Sequence, residues 1–150
     1  MLKAFDYLDS IRVMKLRIQI KTRQAQQLRD TVSNITASMD EEHVSHTKNT
    51  SAMADAMVMI LDLEEEISEM RNKLCKRRRE ILTILDRIKP EYAIVLSGYF
   101  IEGKSTKDLA IALYLSKRQV QRRLSNGLAE FQIILNNLTE HGDASWAGAK

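Results

Sequence analysis

Between Lys117 and Arg123 the chain reads KRQVQRR, and a serine follows at position 125. Wound as a helix, this stretch presents Lys117, Arg118, Gln121, Arg122 and Ser125 on one face, with Arg123 on its flank and Lys104 shortly upstream. Arg and Gln can each make two parallel hydrogen bonds to a base edge, Arg to guanine and Gln to adenine. Any of the cations can also meet a phosphate, and spacing alone does not separate base readers from phosphate contacts. Gln119 joins this set, although its position also suits a helix cap. The candidate DNA-binding residues are therefore Lys104, Lys117, Arg118, Gln119, Gln121, Arg122, Arg123 and Ser125.

Such a face is useful only if short elements hold it outward. Two helix-start signals stand eleven residues apart. Ser105-Thr106-Lys107-Asp108 sets a hydroxyl before a helix, and Ser116-Lys117-Arg118-Gln119 repeats the pattern as a fuller capping box. Leu109, Ala110, Leu113 and Leu115 supply apolar contacts for a short first helix and a turn. Val120, Leu124, Leu128 and Phe131 then recur at helical spacing on the side opposite the cations. Two short helices joined by a tight turn, the second basic on its free face, form a helix-turn-helix candidate.

Catalytic chemistry finds little material. His43 and His46 make an H-x-x-H, but no third ligand or acid–base partner accompanies them in the sequence pattern. Neither a catalytic residue, nor a metal site, nor a cofactor is expected, and an enzyme is not the expected reading. The single Cys75 excludes an internal disulfide framework and suits a reducing cytoplasm. The N-terminal residues lack the apolar core of a signal peptide, and no apolar run approaches a membrane span. A cytoplasmic protein without membrane contact is the expectation. Charge is uniform: Lys+Arg minus Asp+Glu is 7−6 over residues 1–46, 9−8 over 47–90 and 7−6 over 91–150. Only local patterning, not net charge, points to nucleic acid.

With one Pro and five Gly in 150 residues, the chain has few helix breakers and should be all-α. From the N-terminus, apolar residues keep 3-4 spacing at Ala4, Tyr7, Ile11, Met14 and Ile18, then Ala25, Leu28, Val32, Ile35 and Met39, with Lys21 as the one break. Asp40 to Ser51 loses the pattern and reads as a connection, with Thr50 or Ser51 capping the next helix. A second seam runs through Met53, Ala56, Ile60, Leu63, Ile67, Met70 and Leu74, then Ile81, Ile84 and Ile88, interrupted at Arg77. Two seams of matched length joined by a polar link predict an antiparallel helical hairpin. Pairing Met39 with Met53 makes facing positions sum to about 92, so that Tyr7 would face Leu85.

Off-seam apolar residues gather at two places. Phe5, Leu8, Val13, Leu16 and Ile20, with Leu82 and Leu85, leave the hairpin base apolar and ready to receive the C-terminal part. Met57, Val58, Met59 and Leu61 form a second group, and the two groups read either as surfaces for a homodimer through the hairpin or as local packing within it. The run Lys76-Arg77-Arg78-Arg79-Glu80 has two readings, a phosphate-contacting patch or a solvated helix flank, and the flank is favoured. Pro90 opens a new helix, with Ile94, Val95, Tyr99 and Phe100 as its buried positions. Gly103 stands where a left-handed C-cap would fall.

Pro90 to Phe131 resembles region 4 of bacterial sigma factors, in the Pro-led helix, Glu102-Gly103, Ser105, Leu115-Ser116 and Gln119-Val120. The whole chain is similar to small sigma-factor-like prophage proteins of Gram-positive bacteria, with ArpU- and RinA-type regulators as functional neighbours. Met53-Ala54-Asp55-Ala56 and Ile60-Leu61-Asp62-Leu63-Glu64 resemble a recurrent stretch of that group. The resemblance implies transcription regulation at a phage promoter, with double-stranded DNA and RNA polymerase as partners. No counterpart of sigma region 2 lies in these residues, so a complete sigma factor is not expected. Tyr114 departs from the pattern, for such turns usually carry Gly where positive φ is needed. A Tyr there would cost about 1 kcal/mol unless the turn is built differently or packing compensates.

The expected layout is an antiparallel coiled-coil hairpin over residues 1–89, a helix-turn-helix domain over 90–138, and a tail over 139–150. Two further readings stay open. One is a protein-interaction module docking on RNA polymerase or another regulator; the other is a DNA-binding subunit of a phage packaging complex.

Overall fold

A computed structural model describes residues 2–39 and 46–141. Every regular element among them is helical: α1 Ala4–Met39, α2 His46–Leu85, α3 Pro90–Leu96 leading into a π-helical turn Ser97–Ile101, α4 Thr106–Ala112 and α5 Lys117–Glu140. Where the sequence pattern set a connection through Ser51, α2 already begins at His46. The residues before it, His43 included, lie outside the described residues, as do Trp146 and the tail beyond His141. Thr139 and Glu140 belong to α5 rather than to a tail. No helix among the described residues is long and apolar enough to cross a membrane.

The chain forms two compact units, Met1–Met14 with Lys73–Lys150, and Lys15–Asn72. In the first, the N-terminal turns of α1 and the C-terminal turns of α2 share one core with α3 and α5. Tyr7, Leu8, Ile11, Ile81, Ile84 and Leu85 pack there with Leu96, Phe100, Phe131 and Leu135. Pro90 does open a helix, with Lys89 at φ −56°, ψ 133° ahead of it. The hydrophobic core nevertheless runs past it without a division. The off-seam Leu8 and Leu85 are thereby absorbed, while Val13 and Leu82 stay exposed.

Polar contacts fix this unit's geometry. The Tyr7 hydroxyl donates to Glu80 Oε2 at 2.7 Å, Arg77 Nη1 donates to Ser10 Oγ at 3.0 Å, and the Arg77 guanidinium lies 4.4 Å above the Tyr7 ring. Tyr7 therefore meets Glu80 and Arg77, and it shares a core with Leu85. Tyr7 with Glu80 and Ser10 with Arg77 sum to 87, and Tyr7 with Arg77 to 84, against the expected 92. Arg77, the break in the apolar seam, thus lies on the aromatic face. A second tie comes from α5: Gln132 Oε1 accepts the Ala4 amide at 2.7 Å and its Nε2 donates to the Leu2 carbonyl at 3.0 Å. An α-helix leaves its first amides unsatisfied, so Gln132 serves α1 as a cap from a distant helix.

The second unit is simpler. Ala25 of α1 and Ala56, Ile60 and Ile67 of α2 are buried on facing seams. Lys21 meets Glu66 at 2.7 Å, and Arg29 pairs with Glu64, so within this unit the two helices run antiparallel. Lys21, the other break in the seam, is thus placed to reach a partner across it. Met57, Val58, Met59 and Leu61 are exposed.

α3 and its continuation position everything downstream. Val95, Leu96, Phe100 and Ile101 are buried, whereas Ile94, expected inside, is 54% exposed. Passing into the π-helical turn, the helix closes with Glu102 N–H on the Ser97 carbonyl at 3.1 Å. Gly103 at φ 73° then ends it, and Lys104 N–H reaches the Gly98 carbonyl at 2.9 Å. That is the left-handed stop expected from the sequence. Where α5 crosses α3, Gly127 is buried, and a Cβ there would stand 3.1 Å from both Leu96 Cδ1 and Tyr92 Cβ. Close approach of the two helices needs a residue without a side chain.

Candidate nucleic-acid interface

The basic stretch begins at a well-made helix start. Ser116 Oγ accepts the Gln119 amide at 3.1 Å, and Gln119 Oε1 accepts the Ser116 amide at 2.9 Å. Two otherwise orphaned donors are satisfied reciprocally, and replacing such a serine by Ala costs about 1 kcal/mol. α4 starts the same way, Ser105 Oγ accepting the Asp108 amide at 3.1 Å. Between the two helices, Leu115 N–H reaches back to the Ala110 carbonyl at 2.9 Å, which tightens the turn. Val95, Leu109 and Val120 form a small core beneath it, with Leu113, Leu115 and Leu124 packed around. The outward face of α5 is fixed by this burial: with Val120 inside, Arg118, Gln121, Arg122 and Ser125 must face out.

Tyr114 adopts φ 54°, the one positive value at a non-glycine among the described residues, and its side chain is 96% exposed. The turn therefore has the geometry that usually asks for Gly, and packing does not offset the strain. Ile111, one turn earlier on α4, is exposed as well.

The eight expected residues separate by what they already touch. Lys117, Arg118, Gln121, Arg122 and Ser125 are exposed. Among the described residues no carboxylate pairs with Lys117, Arg118 or Arg122. Arg123, half-buried, lies 3.7 Å from Glu91 of α3, and Lys104 lies 2.9 Å from Glu102. Gln119 is committed to the cap through its carbonyl oxygen, which leaves its side-chain amide free to donate. Ser116, Arg118, Gln119 and Arg122 line a shallow open depression at the N-terminal end of α5. A positive rim, a carboxamide and a helix N-terminus gathered there suit an anion.

The buried polar group in this part of the chain sits elsewhere. Burial, and then its bond to Glu80, push the Tyr7 phenol well above its ordinary value. Sequence reasoning missed this cluster because Arg77 and Glu80 read as an ordinary i,i+3 pair on a charged flank. The aromatic three residues into α1 is the signal that pairs with them. Comparison with protein-family models, with curated proteins and with solved structures finds no match to this chain.

Proposed function

We propose that the chain is a DNA-binding transcription regulator of the phage or prophage type, in which α4, the turn and α5 act as a sigma region 4-like helix-turn-helix. In this reading α5 enters the major groove by its N-terminal half, and Arg118, Gln121 and Arg122 approach base edges. Lys117 and Ser125 lie toward the phosphates, while Lys104 and Arg123 serve chiefly to brace the module through Glu102 and Glu91. The antiparallel α1–α2 pair acts as a coiled-coil hairpin arm, for contact with RNA polymerase or with a second copy. The observation that carries the reading is the free basic face of α5: three cations and a glutamine, exposed on a capped helix and without carboxylate partners among the described residues. The resemblance of Pro90 to Phe131 to sigma region 4 points the same way.

The test is genomic: binding of the tagged chain in its host, mapped to sequence, with an Arg118→Ala, Arg122→Ala variant alongside. Enrichment at a small set of promoters that the variant loses supports the reading. Enrichment unchanged in the variant would mean that DNA is reached through a partner, and the interaction-module reading would replace this one.

A further inference from the structure

Tyr114 combines two properties that rarely coexist without a reason. Its backbone is left-handed at φ 54°, where a Cβ crowds the following carbonyl, and its ring stands almost wholly in solvent. Burial gives nothing back for the strain, and Gly or Asn would hold the same turn more easily. Strain kept at such a position directs attention to what the side chain does outside the fold.

We propose that Tyr114 is a contact to the DNA sugar–phosphate backbone beside the groove that α5 enters, its phenol hydroxyl donating to a phosphate oxygen and its ring resting on the adjoining deoxyribose. The inference rests on the DNA reading above and deepens it by naming a contact outside the basic face. Location supports it. Tyr114 stands three residues before Lys117, so their Cα atoms are within about 11 Å, comparable to the roughly 12 Å width of the major groove. Charge supports it too. Lys107, Ile111 and Tyr114 follow one another at spacings of four and three on the exposed side of α4 and its turn, and the exposed Lys117 and Arg118 follow three and four residues on in the chain. The near carboxylate, Asp108, is the sole anion in residues 103–129. A tyrosine set among cations suits a polyanion better than an apolar protein surface, and Tyr is among the side chains that donate to phosphate.

A phosphate contact is blind to sequence, so a fluorescently labelled duplex of random sequence is a sufficient probe. Affinity would be measured by anisotropy across a salt series for the full chain and for Y114F, Y114N and R118A. Loss of one hydrogen bond to a charged phosphate should weaken binding by about tenfold or more in both Tyr114 variants. The slope of log K against log salt should not change, because a phenol displaces no counterion, whereas R118A should reduce it by about one. Y114N should also melt a few degrees higher, since Asn tolerates the left-handed backbone. Wild-type affinity in Y114F and Y114N, with R118A weakened, overturns the Tyr114 contact and leaves the DNA reading standing. A lower melting temperature in Y114N also overturns it, because Tyr114 would then be serving the turn itself. Failure of the wild-type chain to bind any duplex at low salt removes the DNA reading, and this contact with it.

Discussion

Two basic runs, Lys76-Arg77-Arg78-Arg79 on α2 and Lys117 to Arg123 on α5, have similar composition and belong to the same compact unit. They meet different fates. On α2, Arg77 turns inward: its side chain is 13% exposed, it covers the Tyr7 ring, and Glu80, 12% exposed, stands 3.5 Å from its Nε. On α5, the burial of Val120 and Leu124 turns the cations outward, and the one arginine near a carboxylate is Arg123. The difference lies in what stands within reach. A carboxylate three residues on and an aromatic across the interface convert an arginine into part of the core's edge. A capped helix start without such neighbours leaves its charge for a partner.

The sharpest way to break this contrast is to remove Arg77. Arg77→Ala leaves Glu80 largely buried with only the Tyr7 hydroxyl, and should destabilise the chain by about 3 kcal/mol in urea unfolding. A change under about 0.5 kcal/mol would return Arg77 to the solvated flank. On α5 the effects should exchange places. Arg118→Ala and Arg122→Ala should each leave stability within about 0.5 kcal/mol while weakening duplex binding by roughly 1–3 kcal/mol. The exposed pair Arg78→Ala, Arg79→Ala should leave duplex affinity unchanged, and a loss equal to that of Arg122→Ala would erase the distinction between the two runs.

A smaller effect tests the platform under the basic face. Gly127→Ala gains helix propensity of up to about 1 kcal/mol but drives a methyl against Tyr92 Cβ and Leu96. The net result should be a loss of about 1 kcal/mol by thermal or urea unfolding, and a stabilised variant would mean that α3 and α5 can move apart freely. The least effect concerns pH. The fold holds the Tyr7 phenol neutral and raises its pKa above the ordinary 10.0, so the unfolded chain ionises first. Tyr7's contribution is fully present below about pH 10 and is lost as pH rises toward the higher folded value. Tyr7→Phe should therefore show a shallower loss of stability above pH 10 than the wild type, and parallel curves would contradict the buried phenol.

Much of this arrangement is legible in the sequence because it is written in local chemistry. Ser105, Ser116 and Gln119 announce their caps, Gly103 its left-handed stop, Pro90 its helix start, and the 3-4 seams the two long helices. Tyr114 stands out in the sequence as a conflict between residue and turn, and its φ bears that conflict out. The features that escape depend on distant partners. Gln132 caps a helix 128 residues away, and Gly127 matters only because Tyr92 and Leu96 cross it. Facing pairs do not keep one sum, 87 for Tyr7 with Glu80 but 93 for Arg29 with Glu64, because apolar spacing repeats every turn and does not choose among registers. The polar group Tyr7–Arg77–Glu80 chooses, and polar pairings leave no periodic trace. Ile94 departs from its expected burial for a similar reason. A short helix has too few turns for its spacing to define the inner face, and the adjoining π-helical turn alters the angle from one residue to the next.

The contrast between the two runs is tested most directly by backbone amide shifts of the isotopically labelled full chain titrated with a short random-sequence duplex. The account predicts that perturbations concentrate in the turn and the first half of α5, from Tyr114 through Ser125, with Arg78 and Arg79 unmoved. Perturbations centred on Arg78 and Arg79, or none at saturating duplex, would contradict it.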